Sequence, residues 1–274
     1  MISMRLRYLL IALSLVIMVS CKKDPGITNN PVIPGQQAFL KDITVSRLPS
    51  PYYHFEYDAD GKINLVSFAS GLISYDVLYA NGRVTEMRRN NMGSNERLQY
   101  LYNIEGKVNV VKYIDSVGLT YERVVLDYSG QELTNLERQK KMGDQFVSDK
   151  IMTFTYYADS NLKEATTHYL PIPGQTESSY TILFEKYDNK VNVDGFALLH
   201  AEFFDRLIFL PGIQLQKNNP GKQSLTGDAQ NYTVDYTYTY SDKNVPLSQR
   251  GNLLLLTGPD AGSRFQLNTA YSYY

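Results

Sequence analysis

The sequence predicts a mainly β protein: one wide antiparallel sheet of repeated hairpins, curved or partly closed like a barrel, with one covering helix near residues 195–209. Three observations predict it. A short unit of strand, tight turn and strand returns along the chain. Side chains alternate with period 2 in several segments. Tyrosine is abundant, with 23 residues beside 11 Phe and no Trp, and it suits a pleated, half-buried surface better than a helical core. With 43% hydrophobic and 20% charged residues, the 274-residue chain is globular rather than disordered.

Residues 1–20, MISMRLRYLLIALSLVIMVS, place Arg5 and Arg7 before an apolar run from Leu9 to Val19. That run is shorter than the roughly 20 residues a bilayer span needs and has the layout of a signal peptide. Cys21, the single cysteine, follows directly, so neither a disulfide framework nor a thiolate zinc site is available. Met18-Val19-Ser20-Cys21 resembles a bacterial lipobox, with Met18 where Leu is usual. The resemblance implies lipidation of Cys21 and a mature chain held on a membrane by its acyl chains. Residues 21–38 are rich in Pro, Gly and Asn and read as a flexible tether. The β-hairpin-repeat domain is expected over residues 39–274.

Within that domain the unit is an aromatic or apolar strand ending in Tyr, a polar turn, a basic residue, then Val, Ile or Leu. It stands as Tyr57-Asp58-Ala59-Asp60-Gly61-Lys62-Ile63, as Tyr79-Ala80-Asn81-Gly82-Arg83-Val84 and as Tyr102-Asn103-Ile104-Glu105-Gly106-Lys107-Val108. Weaker copies follow at Tyr128, Tyr157, Tyr187 and Tyr240. Asp-Gly and Asn-Gly supply the positive φ that hairpin turns need. Tyr232, Val234, Tyr236, Tyr238 and Tyr240 share one strand face; Thr233, Asp235, Thr237, Thr239 and Ser241 share the other. Val108 to Val111 is apolar on both faces, which predicts a strand covered on both sides. From Asp194, Leu199, Phe203 and Leu207 recur at spacing four, and Pro211-Gly212 ends the pattern. This is the covering helix, with Asp194 as its N-cap.

These units resemble the tyrosine–aspartate (YD-like) repeats of large bacterial shell proteins, which carry many more copies. From roughly residue 40 to 274 the chain is more closely similar to a Bacteroidetes lipoprotein family of unknown function with a porin-like β fold. That likeness rests on the hairpin units, on Tyr187-Asp188-Asn189-Lys190 leading to Asn192, on Lys217-Asn218-Asn219, and on the closing strands through Tyr240-Ser241-Asp242. Where the family has Pro after the second Asn, this chain has Val193. The family has no assigned catalytic residues to carry over. Lys22 rather than Asp after the cysteine implies the outer membrane. Acidic clusters there mark surface export in such lipoproteins; this chain has Asp24 alone, so both faces of that membrane stay open.

Chemistry is sparse. His54, His168 and His200 lie in different units, and His54 with Glu56 makes only half a metal site. Asp58-Ala59-Asp60-Gly61 opens like a calcium loop, but Ser67 and Phe68 stand where its closing Glu belongs. No nucleophile elbow, phosphate loop or His-Glu-Xaa-Xaa-His motif is present. A net charge of −1 gives no basic field, so no nucleic-acid partner is expected. A membrane-embedded barrel is disfavoured because Tyr274 shares its parity with Gln266, Asn268 and Ser272. The expectation is therefore a non-catalytic, lipid-anchored outer-membrane lipoprotein without cofactor or metal, binding a glycan or an envelope protein. Tyr236 and Tyr238 are the candidate binding aromatics. The alternatives are a structural accessory of an envelope assembly and a hydrolase with an unrecognised site.

Overall fold

The computed structural model describes residues 38–90, 94–195, 198–200, 209–228 and 230–274. The signal segment, Cys21 and all of the tether but Ala38 lie outside them. The strands are β1 (Leu40–Val45), β2 (Tyr53–Tyr57), β3 (Ile63–Phe68), β4 (Ile73–Ala80), β5 (Arg83–Arg89), β6 (Arg97–Tyr102), β7 (Val108–Ile114) and β8 (Thr120–Ser129). They continue as β9 (Glu132–Met142), β10 (Gln145–Tyr156), β11 (Leu162–Tyr169), β12 (Ser178–Glu185), β13 (Lys222–Gly227), β14 (Tyr232–Tyr240), β15 (Pro246–Leu255) and β16 (Arg264–Tyr273). Each pairs antiparallel with the next. β16 returns to β1, with Leu40 opposite Tyr273 and Ile43 opposite Tyr271, so the sheet closes completely.

The turns explain the repeat. Asp58 Oδ1 accepts the N–H groups of Asp60 and Lys62, both at 2.9 Å, between β2 and β3. Asn103 Oδ1 does the same for Lys107 between β6 and β7. Asn81 and Gly82 both have positive φ, 52° and 75°, the geometry that matches hairpin twist. The tyrosine closing one unit then reaches back to the previous one. The hydroxyls of Tyr79, Tyr102, Tyr128, Tyr156 and Tyr187 donate to the carbonyls of Ile63, Val84, Val108, Leu133 and Leu162, at 2.7–2.9 Å. Each carbonyl belongs to the buried apolar residue that follows a turn. The basic residue before it stacks on the same tyrosine: Lys62 over Tyr79, Arg83 over Tyr102 and Lys107 over Tyr128, at 5.4–5.8 Å. The tyrosine and the apolar residue of neighbouring units thus meet across one hairpin, joined by the cation in three of them, along one rim of the barrel.

The core lies inside. Phe55, Val66, Val84, Met87, Val111, Val124, Leu136, Met152 and Ile182 point inward and are buried. Outward, a register of mostly polar residues crosses seven strands: Leu78, Glu86, Gln99, Lys112, Arg123, Gln139 and Ser148. Near the closing seam, Asp42 pairs with His54 at 2.7 Å and accepts from Ser272 at 2.9 Å. A bilayer-spanning barrel needs an outward apolar band instead. One closed layer has one lining face, so the expected double cover of Val108–Val111 does not hold; Val110 faces outward and is half-exposed.

The long β12–β13 connection enters the lumen. Among its described residues Leu198–His200 is helical; most of the expected helix at 195–209 lies outside the described residues. Leu199, Phe209, Leu210 and Leu215 join the same apolar cluster as the strands. The His200 ring meets Tyr53 at 4.7 Å and Phe68 at 5.4 Å, and Tyr100 OH donates to Phe209 O at 2.9 Å. Sixteen-stranded barrels of the porin kind leave an aqueous channel; here apolar side chains and this connection occupy the interior.

Candidate functional site: an internal cavity

The filling is incomplete on one side. A cavity of about 280 Å³ lies between β12–β16 and the connection. Strand alternation aims its walls inward: Tyr180, Ile182 and Phe184 from β12, Gln223 and Leu225 from β13, Tyr232, Tyr236 and Tyr238 from β14. Gln249 of β15 and Tyr271 of β16 complete that wall. A Cβ on Gly251 would stand 2.9 Å from Tyr236 Cε1 and from Val234 Cγ1, so the glycine lets Tyr236 lie against β15. The connection supplies Asn192, Asp194, Leu198, Gln216, Asn219 and Pro220.

Two asparagines staple that connection in place. Asn161 Oδ1 accepts the N–H groups of Lys217 and Asn218 at 3.0 Å. Asn219 N–H donates to Asp188 Oδ1 at 3.1 Å, and its side-chain amide donates to Val191 O at 3.2 Å. Asp188 N–H donates back to Asn219 O at 3.0 Å. The segments Tyr187–Lys190 and Lys217–Asn219 are therefore one clamp, which holds Asn192, Gln216 and Pro220 against the cavity.

The polar groups inside are mostly tied to one another. Tyr236 OH donates to Gln223 Oε1 at 3.0 Å, and Gln223 Nε2 donates to Tyr232 OH at 3.1 Å. Gln249 Nε2 donates to Tyr238 OH at 2.8 Å, and that hydroxyl donates to Pro220 O at 3.0 Å. Asn192 Nδ2 donates to Gln216 Oε1 at 3.3 Å. Asp194 differs. Its Oδ2 takes one long bond, 3.4 Å, from Tyr271 OH, and its buried Oδ1 has no hydrogen-bond partner. Burial pushes its carboxyl up to about 7, against a smaller downward pull from Tyr271. Burial also raises the hydroxyls of Tyr236, Tyr238 and Tyr271, and the Asp194 charge adds to all three. The Asp194 side chain faces Tyr271; residues 196–197, whose N–H groups it would cap, lie outside the described residues.

Tyr236 and Tyr238 line this cavity, inside the barrel, rather than forming an exposed row. Cys21 lies outside the described residues. The three histidines stay apart: His54 pairs with Asp42, His168 with Glu177 at 2.9 Å, and His200 sits in the lumen. Among the described residues no group of three His, Cys, Asp or Glu could hold a metal. The cavity residues that sequence reasoning passes over are Gln223, Gln249 and Tyr271, and Asp194 reads there only as a helix cap. Inward parity beside buried apolar neighbours was the available signal for the two glutamines.

No protein-family model matches the chain, and no curated protein matches it. Among solved structures it is similar to a porin-like protein from Bacteroides vulgatus, at TM-score 0.57 and 17% identity, covering 86% of this chain and 98% of that one. It is also similar to a porin-like protein from Bacteroides uniformis, at TM-score 0.55 and 15% identity, covering 81% and 89% respectively. At this identity the likeness is one of fold, and it agrees with the mainly β, closed antiparallel barrel seen here.

Proposed function

We propose that this protein is a lipid-anchored outer-membrane lipoprotein whose barrel stands in water as a non-catalytic binding module. The Cys21 acyl chains and the 21–38 tether hold it to the membrane, and its internal cavity takes a small glycan unit. The cavity carries the reading: tyrosine rings with carboxamides at their edges offer apolar area plus donors and acceptors, the combination a sugar needs. Its size suits one sugar unit rather than a chain. Asp194 is the one carboxyl among the described lining residues; a glycosidase pair requires a second one opposite it.

The acylated chain in detergent micelles should melt at higher temperature in the presence of one class of mono- or disaccharide, because a ligand that binds only the native state stabilises it. Tyr236→Ala should abolish that shift. A full saccharide panel without any shift overturns the glycan reading. The anchor has its own check: Cys21→Ala should lose palmitate labelling, and a labelled mutant refutes it.

A second reading, a protein partner in an envelope assembly, draws on the rim opposite the tyrosine rim. There Phe265 and Leu267 are 41% and 40% exposed on β16, beside Leu256 at 46%. Cross-linking in intact cells tests it.

A further inference from the structure

We propose that the internal cavity selects a ligand carrying one ammonium group, seated against Asp194 and walled by tyrosine rings. This deepens the reading of the cavity as a binding site and rests on it.

Three observations converge. The first is charge. Asp194 is the one charged side chain among the described residues lining the cavity, and no Lys, Arg or His shares that lining with it. A carboxylate so placed repels an anionic ligand, and among the described lining residues no cation stands beside it. The second is hydrogen bonding. Oδ1 is buried without a partner, and Oδ2 has only the 3.4 Å bond from Tyr271. A buried carboxylate left in this state is costly, and a bound cation with N–H or polarised C–H donors removes the cost. The third is the wall. Tyr236 and Tyr238 stand 6.4 Å apart, tilted by 42°, with hydroxyls tied to Gln223 and Pro220. Those bonds fix the rings before any ligand arrives. Aromatic rings around one carboxylate are the physical recipe for an alkylammonium: the π faces attract the cation over all its directions, and the carboxylate supplies the counter-charge.

The cavity volume, about 280 Å³, admits a molecule of hexosamine or choline size. Both carry the group in question, one on a sugar ring and one on a short alcohol. The structure points to the ammonium, and the test separates the two carriers.

Binding to the full acylated chain in micelles would be measured by calorimetry with matched probes: glucosamine against glucose, choline against its neutral isostere 3,3-dimethylbutanol, and glucuronate as the anion. The expected result is that the ammonium member of at least one pair binds about tenfold or more tighter than its neutral partner, and that glucuronate does not bind. Asp194→Asn should bring the two members of that pair to equal affinity. Should that variant fail to fold, Tyr236→Leu keeps the wall apolar and should lower the affinity of the ammonium probe more than that of its neutral partner. Glucose binding as tightly as glucosamine, with Asp194→Asn unchanged, overturns this inference and leaves the glycan reading standing. Choline binding with neither sugar supports the ammonium and overturns the glycan. No binding by any probe overturns both.

Discussion

A carboxyl turned into a barrel lumen titrates late, and Asp194 is such a group. Its ordinary value is 3.8 and burial raises it to about 7 in the folded chain. Below the ordinary value the group is protonated in both states and folding bears no penalty. As pH rises from there, the unfolded chain releases its proton first, while the folded chain must keep the proton or bury a charge. Stability from this group is therefore full in acid and lost as pH climbs through 7. The rise from 3.8 to about 7 corresponds to roughly 4 kcal/mol for this one side chain. Melting curves between pH 5 and pH 8 should show the slope, with Tyr271, Tyr236 and Tyr238 still protonated throughout. Asp194→Asn should flatten it and raise the melting temperature at pH 8. An equal slope in the mutant would place the titration elsewhere. From the sequence this residue reads as a helix cap, because Asp before an apolar repeat is the usual signal. What moves it is burial in the lumen, with Tyr271, 77 residues away in sequence, pulling it slightly back down.

At the scale of one hairpin, the chain is nearly self-describing. Each unit has a turn residue with positive φ, an apolar residue that enters the core and a tyrosine, and the first three add a cation, all within a short stretch of sequence. Tyr102 is a clear case: its hydroxyl donates to Val84 O at 2.7 Å, its ring carries Arg83 at 5.4 Å, and burial raises its hydroxyl to about 12. Tyr102→Phe keeps the ring and the cation but leaves the Val84 carbonyl without that donor. The expected loss is about 1 kcal/mol in a urea melt, with an unchanged fold. A neutral substitution would mean that water replaces the hydroxyl, and the rim would then rest on stacking alone. Hairpin signals are legible because they are local. The clamp of Asp188 with Asn219 was legible only as a motif, since its two halves are 31 residues apart and their meeting is fixed by the connection between them.

Closure belongs to the whole molecule, and no local signal records it. Leu40 meets Tyr273 across the full length of the domain, and Tyr274 OH donates to Phe55 O at 3.1 Å beyond the seam. Alternation told which residues share a face, not what that face encloses: the cavity is closed by Asn192, Asp194, Gln216 and Asn219 of a connection whose path no strand pattern records. The same alternation decides how the barrel meets a membrane. Lys112, Arg123, Gln139 and Glu86 point outward in one register, where a bilayer midplane charges roughly 2–4 kcal/mol for each Arg or Lys. This outward register argues against burying those seven strands in a bilayer, which fits the proposed anchoring through Cys21. Replacing residues 1–21 by an ordinary cleavable signal should therefore release a folded chain that begins at Lys22. In a detergent phase separation that chain should enter the aqueous phase, whereas the acylated protein should enter the detergent phase. Detergent-phase recovery of the anchorless chain would mean that the barrel itself binds lipid, and the outward polar register could not then be the surface it presents to the membrane.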